Sequence, residues 1–154
     1  MERFLEIEKI IEQYVNEEDG ELSNYFVGGA SDNKISMAEE KLGVNFPNSY
    51  KLFLKKYGTG GIDGIMFWGI EENKDTIDKC TVVAITEEYR KKGLPNKLVV
   101  FEENGDSVTC LDTENMNENN ECPIVTWSIY DEDGVVFLDE DFCSYFLELV
   151  EECI

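Results

Sequence analysis

Thirty-four carboxylates and no histidine set the chemistry open to this chain of 154 residues. Without imidazole there is no Ser-His-Asp or Cys-His catalysis and no His-ligated metal. Two carboxylates can run acid–base hydrolysis, but among 34 of them no pair stands out by spacing. Asp131-Glu132-Asp133 and Asp139-Glu140-Asp141 offer oxygen donors of the kind Ca²⁺ takes. An EF-hand register fails, however, because Gly134 in the sixth loop position places Ile129 in the first. These acids read instead as a turn and a helix start, and no metal is expected. Gly58-Thr59-Gly60-Gly61 could wrap a phosphate, yet no Lys-Ser/Thr follows, so it reads as a turn. The five cysteines (Cys80, Cys110, Cys122, Cys143, Cys153) include no Cys-x-x-Cys pair. They read as reduced, buried small hydrophobes of a cytoplasmic protein. Cys143 and Cys153 have no basic neighbour to activate them and read as inert. No catalytic residue and no cofactor is expected.

The carboxylates are unevenly placed. The formal net charge is −21, from 34 acidic and 13 basic residues. All 13 bases and 18 of the acids lie in residues 1–97, whereas the 57 residues from Leu98 onward carry 16 acids and no Lys or Arg. A pI near 4.1 disfavours nucleic acid and anionic membrane, since phosphate contacts need clustered cations. One-sided charge speeds encounter with an oppositely charged partner; otherwise it is a solvated acidic surface. No run approaches the ~18 apolar residues of a membrane span, and Met1-Glu2-Arg3-Phe4 lacks a signal-peptide pattern.

The elements that carry these residues follow from periodicity. Phe4, Ile7, Ile11, Tyr14 and Val15 form one face of a first helix; a mobile connection with Gly28 and Gly29 follows it. Ser36-Met37-Ala38-Glu39 fits a capping box, with Gly43 ending that helix. Pro47 suits the first turn of the next, whose face is Tyr50, Phe53, Leu54 and Tyr57, with Gly58 as its stop. Residues 62–70 read as a strand and 76–92 as a helix broken by Leu94-Pro95-Asn96. Residues 97–103 and 107–111 flank Asn104-Gly105, which predicts a type I′ hairpin. Residues 124–129 and 135–138 are further strands, and Asp139-Glu140-Asp141 opens a last helix with Phe142, Tyr145, Phe146, Leu149, Val150 and Cys153 inward. Trp127 alternates with Val125 and Ile129 and so packs inward. Phe67 and Trp68 must face opposite sides of a strand, which leaves Trp68 as a candidate binding anchor. Strands joined by tight turns and grouped apart from helices give an α+β fold, a mainly antiparallel twisted sheet packed against helices. The length suits a single domain, 1–154.

Three stretches then carry a family resemblance: Ile35-Ser36-Met37-Ala38-Glu39-Glu40-Lys41-Leu42-Gly43, Phe46-Pro47-Asn48-Ser49-Tyr50-Lys51-Leu52-Phe53-Leu54, and Tyr57-Gly58 with Gly60-Gly61. Phe67-Trp68-Gly69-Ile70, Leu94-Pro95, Asn104-Gly105-Asp106, Cys110-Leu111-Asp112, Pro123-Ile124-Val125-Thr126-Trp127 and the 142–147 helix continue it in order. Together they resemble the SUKH superfamily, the family of yeast cell-wall synthesis regulators and many bacterial proteins. Residues 1–30, a helix and a connection, fall where that family varies. The resemblance implies the α+β fold above, with no catalytic set to carry over. It makes Glu39, Leu42, Gly43, Pro47, Tyr50, Phe53, Leu54, Gly60, Gly61 and Gly69 structural.

For function, it implies a bacterial immunity protein that neutralises a polymorphic toxin, similar to Bacillus-type members paired with LXG toxins. Joined to the charge pattern, this predicts a basic, nuclease-type toxin as partner, with no nucleic acid and no membrane. The contact is expected at Glu102, Glu103, Asp106, Asp131, Glu132, Asp133, Asp139, Glu140 and Asp141, with Trp68. The alternative is a non-catalytic regulatory scaffold that docks on cellular proteins.

Overall fold

The computed structural model describes residues 2–16, 24–130 and 134–152. Helix α1 (Glu2–Asn16) is followed by strand β1 (Asn24–Phe26), then by helices α2 (Asp32–Leu42) and α3 (Asn48–Lys56). Next come β2 (Gly60–Ile62), a 3₁₀ turn (Ile77–Lys79) and α4 (Thr81–Arg90). Four strands follow: β3 (Leu98–Asn104), β4 (Ser107–Asp112), β5 (Ile124–Trp127) and β6 (Val135–Asp139); α5 (Phe142–Glu151) comes last. β3 to β6 form an antiparallel meander in sequence order, and β1 pairs with β2 in a separate two-stranded ladder. The expected α+β class and the antiparallel sheet are both present.

The sheet has an apolar layer on each face. Val99, Phe101, Leu111 and Ile124 join the main core with Phe4, Ile7 and Ile11 of α1, Tyr50, Phe53 and Leu54 of α3, and Phe142, Phe146 and Val150 of α5. Leu98, Val100, Val108, Cys110, Val125 and Trp127 form a second cluster against Ile85, Tyr89 and Leu94. Trp127 is therefore buried, as its alternation predicts. Tyr50 is fully buried at the centre of an aromatic group with Phe46, Phe53, Phe101 and Phe142. Its hydroxyl donates to the Trp68 carbonyl at 2.7 Å.

Several local expectations are corrected. Ser36 lies inside α2 and is not its cap. The cap is Ser31, whose hydroxyl accepts from the Lys34 N–H. Glu39 instead accepts the Phe46 N–H at 2.7 Å and meets Lys51 at 3.5 Å. Gly43 does end α2, at φ 71°, and the Arg90 and Lys97 side chains donate to the carbonyls of Leu42 and Gly43 there. Pro47 occupies the N-cap of α3, one residue earlier than expected. Residues 62–70 are not one strand. Asp63 and Gly64, both at positive φ, reverse the chain after β2, so that Gly60 bridges back to Phe67. The 76–92 helix is broken at Cys80, whose extended backbone separates the 3₁₀ turn from α4. The connection through Gly28 and Gly29 is anchored, because the N–H groups of Val27, Gly28 and Ala30 donate to Thr59, Tyr57 and Leu54. The hairpin loop is Gly105-Asp106, closed by the Asn104–Ser107 pair. Positive φ occurs at Gly105 alone, the pattern of a type II′ turn, not I′.

Candidate functional site

Every strand of the four-stranded sheet, and α5 behind it, comes from the part of the chain without Lys or Arg. The register decides where its acids lie. Asn104 pairs with Ser107 and Val108 with Trp127, so the hairpin loop and the start of β6 share one end of the sheet. Ile124 pairs with Asp139, which puts Asp139 and the start of α5 at the other end. The expected contact acids among the described residues therefore form two groups rather than one.

At the hairpin end, Asp106 is exposed on the loop and Glu103 is exposed beside Tyr89, whose hydroxyl donates to it at 3.2 Å. Glu102 is buried. It accepts from the Tyr145 hydroxyl of α5 and from the Asn104 amide at 3.4 Å. Burial and the neighbouring Glu102 push the Tyr145 hydroxyl well above its ordinary range. At the other end Asp141 is buried and caps α5, accepting the Ser144 N–H at 2.8 Å. Arg3 of α1 reaches Asp141 at 3.3 Å and the exposed Glu140 at 3.6 Å. Asp139 is half-buried, and its charge holds the Glu148 carboxyl above the usual range. Asp131, Glu132 and Asp133 lie outside the described residues. Trp68 sits at a third place. Its N–H donates to the Phe101 carbonyl of β3 at 2.6 Å, which seats the residue on the far edge of the sheet from β6. The indole is half-buried, and its ring N–H is buried with no acceptor among the described residues.

Three acids absent from the expected contact set serve the fold as acceptors. Glu121 receives the N–H and hydroxyl of Ser49 at the start of α3, at 3.0 and 2.7 Å, and burial holds its carboxyl above the usual range. Glu71 is buried and receives both the N–H and hydroxyl of Thr81 at the start of α4. Glu39 makes the contacts given above. A cleft of about 260 Å³ lies beside Glu121, lined also by Arg3, Asn48, Asn117 and Asp141. Among the described residues no three His, Cys, Asp or Glu side chains gather as a metal site, and no helix is long and apolar enough to cross a membrane.

The feature that residue patterns did not single out is β6. Val135, Val136, Phe137 and Leu138 are exposed by 44%, 55%, 66% and 43%. The sequence signal was there: four apolar residues in a row, without alternation, between acidic clusters.

A protein of Pseudomonas syringae pv. tomato, known from its crystal structure, is similar in fold. The TM-score is 0.56 at 17% identity, with 90% of this chain and 92% of that chain covered. The SUKH_5 family model, described as SMI1-KNR4 cell-wall, matches residues 7–151. The chain thus belongs to the SUKH (SMI1-KNR4) family, which is generally associated with immunity proteins.

Proposed function

We propose that this chain is a cytoplasmic immunity protein that binds and neutralises a basic, nuclease-type toxin of the LXG-like kind, without catalysis of its own. The observation that carries this reading is a sheet and terminal helix built wholly from cation-free sequence. A nuclease holds phosphates with cations, and an acidic surface can occupy the same groups; long-range attraction then raises the rate of encounter. The exposed Glu103, Asp106 and Glu140, with half-buried Asp139, are the acids placed to meet solvent-borne cations. Asp131, Glu132 and Asp133 remain in the proposed set. Glu102 and Asp141, engaged internally, hold the surface in shape, and Trp68 marks its β3 side.

The test is co-expression with whatever toxin a neighbouring gene encodes, scoring survival and co-purification. Survival is the expected result; continued killing with both proteins present overturns immunity. Glu103→Gln, Asp106→Asn and Glu140→Gln together should slow association and flatten its salt dependence. An unchanged rate overturns the electrostatic half of the reading. A second reading, a regulatory scaffold that docks on cellular proteins, is favoured by the words "cell-wall" in the description of the matching family. Its expected outcome is a cellular partner in the absence of any toxin.

A further inference from the structure

The two edges of the four-stranded sheet are treated differently. On the outer edge of β3 the Val100 N–H donates to the Thr86 hydroxyl at 3.0 Å, and the Phe101 carbonyl accepts from Trp68. α4 and Trp68 thus close that edge. Along β6, no described residue pairs with the outward backbone groups. Natural sheets usually protect such an edge with charge, proline or a covering element. β6 carries none of these between Val135 and Leu138. Successive residues point to opposite faces, so exposure of all four leaves both faces apolar at this edge. Six of the ten exposed large hydrophobics among the described residues fall within 129–138. Val135 and Phe137, paired with Trp127 and Val125, continue the apolar face of the second cluster out to solvent.

What covers this edge is decided by charge. A second copy would bring an identical sheet, strands and α5 alike, with no Lys or Arg to set against Asp139 and Glu140, and its Arg3 is already engaged with its own Glu140 and Asp141. Two chains of net charge −21 also repel at long range. A cationic segment has neither problem. We propose that an extended segment of the protein partner, with apolar side chains flanked by Lys or Arg, adds to β6 as a fifth strand. Main-chain hydrogen bonds to β6 supply affinity, alternate side chains cover Val135 with Phe137 and Val136, and the flanking cations meet Asp139 and Glu140. The identity of the partner rests on the immunity reading; the mode of docking rests on the edge.

Hydrogen exchange read by mass spectrometry over residues 135–139 tests it with two probes. The first is a synthetic nine-residue peptide of alternating Val and Thr with Lys at both ends, beside a twin ending in Glu, each at about 1 mM, where weak binding is visible. Slowed exchange with the Lys peptide only is expected, lost in Val136→Pro and reduced in Phe137→Thr, the second of which leaves the backbone intact. No slowing with either peptide, or slowing that survives both variants, overturns the proposal. The second probe is whatever toxin a neighbouring gene encodes. Slowed exchange at 135–139 in the complex and at least a tenfold rise in Kd for Val136→Pro are expected. A toxin that binds without slowing 135–139 overturns the docking mode and leaves immunity standing. A Lys peptide that slows exchange where no toxin binds does the reverse. A dimer in sedimentation that Phe137→Thr dissolves makes a second copy the occupant and overturns the proposal.

Discussion

Glu71 and Glu121 show what a carboxylate does in this fold when it is not on the surface. Cys80 and Pro47, the N-cap residues of α4 and α3, make no side-chain cap bond. The exposed helix N–H groups are met by acids from distant loops, Glu71 at Thr81 and Glu121 at Ser49. Negative charge also suits the positive end of a helix. Losing such a cap costs about 0.5–2 kcal/mol, so Glu71→Ala should lower the unfolding free energy measured by urea titration by an amount of that size. Glu71→Gln, which keeps one acceptor oxygen, should lose less. Equal loss in both variants would show that the charge, not the hydrogen bond, is what counts. None of this was legible from residue types, because an acid that caps a helix ten or seventy residues away leaves no local pattern. Four of the five cysteines were legible, and Cys153 lies outside the described residues. Cys80, Cys110, Cys122 and Cys143 are buried free thiols, with burial pushing Cys143 up to about 11 and Cys122 to about 12. Alkylation at pH 8 followed by site mapping should leave all four unmodified in the native protein and modify them after denaturation. Native labelling of Cys143 would mean that α5 opens from α1.

At the level of elements, the ends that matched expectation are those set by local backbone chemistry: Gly43 after α2, Gly58 after α3 and Asp141 before α5. The elements that departed from it are set by remote contacts. β1 is three residues long and has no period to read; it exists because Tyr25 and Phe26 pair with Gly61 and Gly60. That pairing explains the glycines. A Cβ on Gly60 would stand 1.5 Å from the Tyr25 carbonyl oxygen, at a φ of 128° that other residues rarely adopt. On Gly61 it would stand 1.7 Å from the Ile65 oxygen. Gly60→Ala should therefore part β1 from β2 and lower stability by about 3 kcal/mol or more, beyond the usual range for a single substitution. Gly105→Ala, with open space around the Cβ, should lose only the cost of its positive φ, about 1–2 kcal/mol. Calorimetry on the two variants separates steric contact from backbone preference, and a milder effect at Gly60 than at Gly105 would contradict the packing described. The candidate site was half legible in the same way. Its charge could be counted along the chain, but the register that sends Asp106 and Asp139 to opposite ends of the sheet could not.

For the molecule as a whole, the question is whether the acidic half holds itself together through specific pairs or in spite of repulsion. Among the described residues, acids of the 98–154 stretch meet a cation only at Arg3; the other ion pairs lie within residues 32–91. Repulsion leaves a local mark at Glu148, whose carboxyl Asp139 holds above the ordinary range. A folded value above the unfolded one means that the proton stabilises the fold. That contribution is complete below the ordinary glutamate value of about 4.3 and is lost as pH rises through the folded value. Glu148→Gln should therefore raise the urea midpoint at pH 7, and the gain should vanish by about pH 4. Urea is uncharged and leaves ionic strength free to vary. Raising NaCl from about 0.01 M to about 1 M shortens the screening length from ~30 Å to ~3 Å. If repulsion dominates, wild-type stability rises over that range. If specific pairs dominate, it falls. Association with a cationic partner should slow over the same range, because the field that strains the free protein is the one that draws the partner in. Opposite salt responses of stability and association rate are thus the expected signature, and parallel responses would separate the two roles of the charge.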